Sequence, residues 1–328
     1  MSAPTVANPS LQAGSIAVGI GACVLGAPVR YNGVGKKPSD PVKRLGECFT
    51  LRPFCPEVAI GLGVPRPTIR LVGAETSATR AVDSDTGEHD VTAALGQSAS
   101  MFLANNENLY GYIFVKASPS CGMERVKRYN DSGNVIANDA IGIFAAALMA
   151  ANPLLPVEED GRLHDDHLRE SFVTRVYTYF QWCELLKTGL TLHTLQKFYA
   201  RHKYLIMSRH IPTYKAVGSL LAQSNSESID ALGHRVITLI LDALKRPATR
   251  AGHTNALQHI RGYLKRDLDK EEKCALNEVI EQYRSGDVPL VVPLTLLRHH
   301  FRQHPDAYIE QQVFMQPYPD TLRLRNLI

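Results

Sequence analysis

The chain has 328 residues, which is enough for two domains that each bury a sizeable core. Its composition, 45% hydrophobic and 21% charged residues, is ordinary for a globular protein and excludes a disordered chain. The longest apolar stretches, residues 16–29 and 140–151, are shorter than the roughly 20 residues of a membrane-spanning helix. The N-terminus has no charged segment leading into an apolar one, so no secretory signal or membrane partner is predicted and the expected location is cytoplasmic.

The charge is distributed unevenly along the chain. Residues 161–328 carry 23 Lys and Arg against 17 Asp and Glu, and they contain every histidine except His89. This shift in composition predicts two domains, the second with a more basic surface. A Pro- and Glu-containing stretch at residues 153–161 is the best linker candidate. We therefore expect an N-terminal domain at 1–155 and a C-terminal domain at 156–328.

The N-terminal part alternates predicted strands with predicted helices. After a loose lead-in at 1–14, apolar and β-branched runs predict strands at 15–21, 50–54 and 109–115. Helical spacing of apolar residues predicts helices at 91–106 and 139–151, with a short helix within 36–48 and a loop or ribbon at 73–85. The alternation is typical of an α/β domain, Rossmann-like, with a mostly parallel sheet.

The C-terminal part has helical periodicity almost throughout. Apolar residues recur at intervals of three and four with few β-branched runs, which predicts an all-α domain. The predicted helices span residues 167–187, 191–207, 212–223, 228–246, 254–263, 269–285 and 293–303.

Three cysteines follow predicted strands. Cys23 lies in the glycine-rich turn after the first strand, Cys55 directly follows the second, and Cys121 ends the turn after the strand at 109–115. Ligands of open α/β sheets bind outside the carboxyl ends of the strands, so we expect these thiols to share one site.

Three kinds of role are open to these cysteines. Thiolates bind zinc, copper and iron-sulfur clusters, but structural zinc sites want four ligands, usually in closely spaced pairs, and the six cysteines form no CxxC pair. Three thiolates could instead hold a cubane cluster on three irons, which would leave the fourth iron open to substrate. A nucleophilic cysteine and small buried residues at strand ends are the alternatives, and spacing alone favours the last of these.

Three sequence blocks resemble a known family. Residues 21–33, 55–66 and 116–122, each containing one of the three cysteines, are similar in this order to the signatures of the thiouracil desulfidase family. The resemblance covers roughly residues 12–155. Many members have a cysteine where this chain has Val29 and an aspartate where it has Asn32. Residues 190–325 resemble the helical partner domain often fused to this family, which has no assigned function.

The resemblance implies a 4Fe-4S cluster held by Cys23, Cys55 and Cys121. It also implies a small-molecule substrate, a thiolated pyrimidine such as thiouracil or 4-thiouridine monophosphate, so that the enzyme would be a thiouracil or thiouridine nucleotide desulfidase. The open iron of such a cluster acts as a Lewis acid on the thiocarbonyl sulfur, so that desulfuration is hydrolytic and needs no net electron transfer.

Glu57 and Ser118 are the catalytic candidates. Glu57 lies two residues after Cys55 and Ser118 three before Cys121, where they could activate water or relay protons. Each has a structural alternative, since Glu57 could cap the helix that follows Cys55 and Ser118 could stabilise its turn. Cys48, seven residues before Cys55, would close the cluster if it were a fourth ligand, which would abolish the Lewis-acid role.

Four further residues are candidates for substrate binding. Arg30, Arg66 and Lys116 are the cations within the three cysteine-containing sequence blocks, and any of them could bind a nucleotide phosphate. Ser120 has the same turn chemistry as Ser118 and could contact the substrate. Solvated surface charge is the alternative for the three cations.

A basic segment of the helical domain suggests a second function. Residues 197–204 interleave Lys197, Arg201 and Lys203 with aromatic rings, a pattern that resembles an RNA surface. An amphipathic helix with core aromatics at Phe198, Tyr199 and Tyr204 explains the same pattern and is favoured. The alternative to a desulfidase is thus an RNA- or tRNA-associated protein that has a structural or redox-sensing cluster.

Overall fold

A computed structural model describes residues 16–223 and 228–328 of the chain. These residues form two compact units, which divide between Asp165 and Asp166. The expected lead-in at 1–14 and the first residue of the first predicted strand, Ser15, lie outside the described residues. Within the described ranges, no helix combines the length and apolar character that crossing a membrane requires.

The described part of the first unit contains eight strands and four α-helices. The strands are β1 (Ala17–Gly21), β2 (Thr50–Phe54), β3 (Ile69–Val72), β4 (Arg80–Asp83), β5 (Leu109–Phe114), β6 (Val126–Tyr129), β7 (Val135–Ala140) and β8 (Val157–Glu159). The helices are α1 (Asp40–Gly46), α2 (Pro56–Ala59), α3 (Thr92–Ala104) and α4 (Ile143–Ala151).

Four of these strands form a parallel sheet in the order β2-β1-β5-β8. Every residue of β5 is buried, as its continuous apolar run predicts for an inner strand of a parallel sheet. β2 lies at the edge, where Pro53 removes no hydrogen bond that an inner strand would need. The predicted α/β fold is confirmed. The strand order reverses between β1 and β5, which makes the gap between their carboxyl ends the switch point of the sheet.

A second sheet, β4-β3-β6-β7, was not predicted from the sequence. It is built from two antiparallel hairpins whose strands β3 and β6 pair in parallel. The segment expected to be a loop or ribbon, 73–85, contains β4, whose pairing with β3 agrees with the ribbon. The helix expected from Asp139 begins only at Ile143. Residues up to Ala140 pair with β6 instead, because the polar turn at 130–134 closes a hairpin.

The segment expected to be a linker, residues 153–161, contains strand β8. Val157–Glu159 pair in parallel with β5, and the side chains of Glu158 and Glu159 are buried. Both carboxylates accept hydrogen bonds, Glu158 from Arg162 and Glu159 from the backbone amide of Met123. Burial of paired carboxylates allows a strand where composition alone suggests a loop.

The second unit contains seven α-helices in the described residues, as predicted. They are α5 (Asp166–Thr188), α6 (Leu192–Arg209), α7 (Ile211–Ala222), α8 (Ile229–Leu244), α9 (Arg250–Arg261), α10 (Lys270–Ser285) and α11 (Val291–Gln303). The largest difference is at α9, which begins four residues before the predicted Thr254. Thr249 caps this helix by accepting a hydrogen bond from the amide of Gly252.

The aromatic residues of α6 belong to the core of this unit. Phe198 and Tyr204 are buried, and His202 is fully buried with its ring stacked on Phe198 at a centroid distance of 4.2 Å. Burial lowers the pKa of His202 to about 4, so this histidine is neutral at pH 7. The favoured explanation, an amphipathic helix with core aromatics, holds for Phe198 and Tyr204, whereas Tyr199 is only half-buried.

Gly142, directly before α4, packs closely against the turn that carries Cys121. A Cβ atom at this position would lie 2.6 Å from the carbonyl carbon and oxygen of Ser120 and 2.8 Å from the amide nitrogen of Cys121. Because backbone atoms cannot rotate away, we expect Gly142→Ala to lower the free energy of unfolding by about 1–3 kcal/mol. Hydrogen exchange of the β5 amides measures this, since the single tryptophan, Trp182, reports only on the second unit.

Gly96→Ala is the matched control for Gly142→Ala. A Cβ at Gly96, within α3, would meet nothing within 4 Å. Because alanine favours a helix, we expect an increase in stability of up to about 1 kcal/mol. Equal protection factors in the two variants would contradict the close contact at Gly142.

Candidate metal centre

Three thiols lie at the carboxyl edge of the parallel sheet. Cys23 is in the turn at Ala22–Leu25 directly after β1, Cys55 follows β2 and precedes α2, and Cys121 is in the turn after β5. Cys23 and Cys55 are half-buried and Cys121 is buried. The fold thus brings together the three predicted ligands at neighbouring strands, two of them beside the switch point.

The thiols are coupled electrostatically. Burial raises the pKa of all three, most strongly that of Cys121. The charge of Cys55 further raises the pKa of Cys23, and both raise that of Cys121. Lys36 and Arg30 oppose this by lowering the pKa of Cys23. Three thiolates at this position therefore repel one another, and additional positive charge between them would stabilise them.

The donor set fits a cluster better than a single ion. Ligands about 2.3 Å from one tetrahedral zinc are within ~4 Å of each other, and no three His, Cys, Asp or Glu side chains in residues 16–223 and 228–328 are arranged to hold one metal ion. A cluster binds each thiolate to a different iron, so its ligands lie farther apart. All six cysteines are free thiols. The soft thiol donors of Cys23, Cys55 and Cys121, which follow neighbouring strands and act on one another electrostatically, therefore fit the chemistry of a cubane cluster.

Both carboxylate oxygens of Glu57 are engaged next to these thiols. Arg66 contacts Oε2 through Nε at 2.8 Å and through Nη2 at 2.6 Å, and Ser120 donates a 2.6 Å hydrogen bond to Oε1. The side chain of Glu57 is 16% exposed and that of Arg66 is 5% exposed. Glu57 therefore does not cap α2, which was its structural alternative, and its carboxylate is held in one orientation.

The two serines extend this contact toward Cys121. Ser118 Oγ and Ser120 Oγ are 3.0 Å apart, and the backbone amide of Cys121 donates to Ser118 Oγ at 3.1 Å. Ser120 has one hydroxyl proton and donates it in the 2.6 Å hydrogen bond to Glu57. In the hydrogen bond between the two serines, Ser118 is therefore the donor and Ser120 the acceptor. The hydrogen bonds thus run in one direction, from the Cys121 amide through Ser118 and Ser120 to Glu57. Ser118 stabilises the turn, as its alternative stated, and also joins this chain.

The predicted substrate-binding residues differ in what they contact. Ser120 is fully buried between Ser118 and Glu57. Arg66 is committed to Glu57 and to the carbonyl oxygens of Gly63 and Val29. Arg30 lies over the ring of Tyr31, with 5.8 Å between the guanidinium carbon and the ring centroid. Lys116 is an exposed residue whose side chain packs beside Gly161.

Lys36 and Asp160 are site residues that the sequence did not reveal. Asp160 follows β8, accepts a hydrogen bond from the amide of Lys116 at 2.9 Å, and pairs with Lys36 Nζ at 2.8 Å. The backbone amide of Lys36 in turn donates to the carbonyl of Cys23 at 2.8 Å. The sequence could have indicated Asp160 only through its position at the carboxyl end of a strand, β8. That strand lies in the segment predicted to be a linker.

Fold and site together define an α/β protein with a three-cysteine centre at the switch point of its sheet, followed in the chain by a helical unit. A family model described as 2-thiouracil desulfurase matches residues 18–160. The chain belongs to this family through its first unit, as its three sequence blocks predict. A model described as a protein of unknown function, DUF1722, matches residues 203–319 in the helical unit.

Two related proteins each match about half of the chain. The uncharacterized protein YbgA of Escherichia coli strain K12 is 27% identical over 158 residues, which are 48% of this chain and 94% of YbgA. A solved structure described as the 4Fe-4S-dependent thiouracil desulfidase TudS is 30% identical, with a TM-score of 0.37, and the match covers 46% of this chain and 94% of TudS.

Arg66→Met tests the contact between Arg66 and Glu57. The substitution leaves a largely buried carboxylate without its cation, so we expect the free energy of unfolding of the first unit to fall by about 3 kcal/mol. We expect Arg66→Lys to recover little of the lost stability. An ammonium group does not reproduce the planar guanidinium that contacts Glu57, Gly63 and Val29. Exchange of the β5 amides is again the measurement.

Arg52→Met is the matched control for Arg66→Met. Arg52 is an exposed residue of β2, and its substitution is expected to change stability by no more than about 0.5 kcal/mol. Equal losses of stability in Arg66→Met and Arg52→Met would show that the contact with Glu57 stabilises the first unit no more than an exposed arginine does.

Proposed function

We propose that this chain removes sulfur from thiolated pyrimidines such as thiouracil or 4-thiouridine monophosphate. The reaction replaces C=S by C=O on the ring carbon, consumes one water and releases hydrogen sulfide, so no electrons are transferred. The observation that carries the proposal is the set of three thiols at the switch point with Glu57 hydrogen-bonded beside Cys121, within a unit that belongs to the 2-thiouracil desulfurase family.

The proposed cofactor is a 4Fe-4S cluster on Cys23, Cys55 and Cys121. Three free thiols after neighbouring strands support it, and the description of TudS as 4Fe-4S-dependent agrees with it. When bound, such a cluster supplies an open iron that acts as a Lewis acid toward a soft sulfur atom. Cys48 is buried and precedes β2, in contrast to the three ligands, which all follow strands. We therefore assign it no ligand role.

Glu57 is the proposed proton acceptor. Its carboxylate retains some solvent exposure, and Arg66 and Ser120 fix its orientation, so that a water next to Glu57 can lose a proton to it as the water oxygen attacks the ring carbon. Ser120 and Ser118 provide hydroxyls through which a proton can move between Glu57 and the neighbourhood of Cys121. Arg66 acts through Glu57 and is a positioning residue.

Arg30 and Lys116 are the proposed contacts for a nucleotide phosphate. Among the described residues neither forms an ion pair with a carboxylate, in contrast to Arg66 and Lys36. A flexible cation with an uncommitted head can reach a phosphate without leaving another partner unpaired. A cytoplasmic location remains part of the proposal, since six free thiols suit a reducing compartment.

RNA association remains the alternative function. It is supported by the excess of basic residues in residues 161–328, although the buried rings of Phe198 and Tyr204 do not contribute to it. Binding of tRNA by the full chain that weakens steeply with salt, without sulfide release from any thiolated base or nucleotide, would favour this alternative.

Cysteine replacement tests the cluster and the reaction together. We expect the anaerobically purified chain to bind iron, to show a broad visible absorption band, and to release sulfide from thiouracil or its nucleotide without added reductant. Serine at position 23, 55 or 121 should remove iron, colour and sulfide release, because an alcohol oxygen is a poor ligand for iron in a cluster. Iron analysis and a sulfide assay measure both outcomes.

Cys274→Ser is the control for these variants, because Cys274 is an exposed thiol in α10. It should retain iron, colour and sulfide release. Full activity in Cys121→Ser would contradict the assignment of the site.

Glu57→Gln separates proton transfer from cluster binding. The amide keeps the size of the side chain but cannot accept a proton, so we expect sulfide release to fall by about 10²–10⁴-fold while iron content stays at the level of the unsubstituted chain. Glu75→Gln, an exposed glutamate elsewhere in the first unit, is the control and should leave the rate unchanged. A reduction of less than threefold in Glu57→Gln would exclude Glu57 as the proton acceptor.

A further inference from the structure

The hydroxyl of Tyr112 is a buried polar group that the proposed reaction does not use. Tyr112 lies on β5 and is fully buried, and its Oη has no hydrogen-bond partner among the described residues. Nearly all buried polar atoms in folded proteins have a partner, and an unpaired hydroxyl costs stability. Phenylalanine would fill the same space without this cost. The presence of the hydroxyl therefore indicates a hydrogen-bond partner other than the described residues.

The ring of Tyr112 is fixed by its surroundings. It packs against Phe114 at a centroid distance of 4.6 Å, against Phe102 at 5.5 Å and against Phe144 at 5.6 Å. On the neighbouring strand it lies over Gly19, where a Cβ atom would come within 2.3 Å of the ring. The ring therefore cannot turn to seek another partner, and its hydroxyl stays where the fold places it.

Tyr112 lies two residues before the carboxyl end of β5, the strand that leads to Cys121, and its partner on β1, Gly19, lies four residues before Cys23. The charges that act on Tyr112 are those of Cys121, Cys55 and Cys23, in order of decreasing effect, and together with burial they raise its pKa well above the ordinary value. The hydroxyl is therefore a neutral donor at any physiological pH. Phe54, whose ring shares the contacts of Tyr112 with Phe102 and Phe144, directly precedes Cys55.

We propose that Tyr112 donates a hydrogen bond from its hydroxyl to a sulfur atom of the bound cluster, either a cysteine thiolate or an inorganic sulfide. This inference rests on the proposed function, because it needs the cluster on Cys23, Cys55 and Cys121. Hydrogen bonds to sulfur withdraw electron density from a cluster and raise its reduction potential. Tyr112 is thus a positioning residue that tunes the cluster and touches no substrate.

Tyr112→Phe removes the hydroxyl and keeps the ring. In the anaerobically loaded chain we expect unchanged iron content, a reduction potential shifted to more negative values, and altered iron–sulfur stretching bands in the resonance Raman spectrum. In the iron-free chain the same substitution should raise the midpoint of thermal unfolding of the first unit, because the unpaired hydroxyl is gone. Loading with iron should then stabilise the variant less than the unsubstituted chain.

Tyr110→Phe is the matched control, a second buried tyrosine on β5 that lies nearer the start of the strand. It should leave the potential and the Raman bands unchanged. If Tyr112→Phe fails to fold, the unsubstituted chain in D2O gives a second test, since a hydrogen bond from an exchangeable hydroxyl shifts the iron–sulfur bands.

The outcomes distinguish this inference from the proposed function. A loaded, active chain whose potential and bands are unchanged by Tyr112→Phe, or whose bands do not respond to D2O when that variant fails to fold, overturns the role of Tyr112 alone. A chain that binds no iron and releases no sulfide overturns the proposed function and this inference with it. A negative shift of the potential without loss of iron supports both.

Discussion

Repulsion among three thiolates, one buried and two half-buried, is the constraint on which the site depends. The parallel sheet places Cys23, Cys55 and Cys121 after neighbouring strands. Burial raises the pKa of all three, and the charges of the other thiolates raise it further for Cys23 and Cys121. Lys36 and Arg30 reduce this repulsion only at Cys23. Without a cationic centre the thiols are therefore most stable as neutral groups, and with one they become ligands whose mutual repulsion is offset by the metal charge.

The backbone around each thiol is held by residues that are not ligands. The carbonyl of Cys23 accepts hydrogen bonds from the amides of Gly26 and Lys36, and the amide of Cys121 is bound by Ser118. The carbonyl of Val29 accepts from Arg66 and lies 3.8 Å from the thiol of Cys55, so the segments of the first two ligands share a contact. Ligand positions fixed in this way lower the entropy that binding a cofactor must overcome.

The sequence predicted those features that depend on local periodicity. The inner strand β5, the seven helices of the second unit and the thiols at strand ends all follow from runs or spacings within about 20 residues. The second sheet could not be predicted, because β3, β4, β6 and β7 are short strands with charged residues and gain stability only by pairing. The contact of Lys36 with Asp160 joins positions 124 residues apart, so only the folded chain reveals it.

Membership of the three cysteine-containing sequence blocks also failed to separate the roles of the nearby cations. Arg30, Arg66 and Lys116 were equivalent by that criterion, yet Arg66 uses its guanidinium on one carboxylate and two carbonyl oxygens. Moving Arg66 to a phosphate would leave Glu57 largely buried and unpaired, which costs more free energy than an exposed ion pair returns. Among the described residues Arg30 and Lys116 form no ion pair with a carboxylate, so they carry no such penalty, and a phosphate bound by them would leave the orientation of Glu57 unchanged.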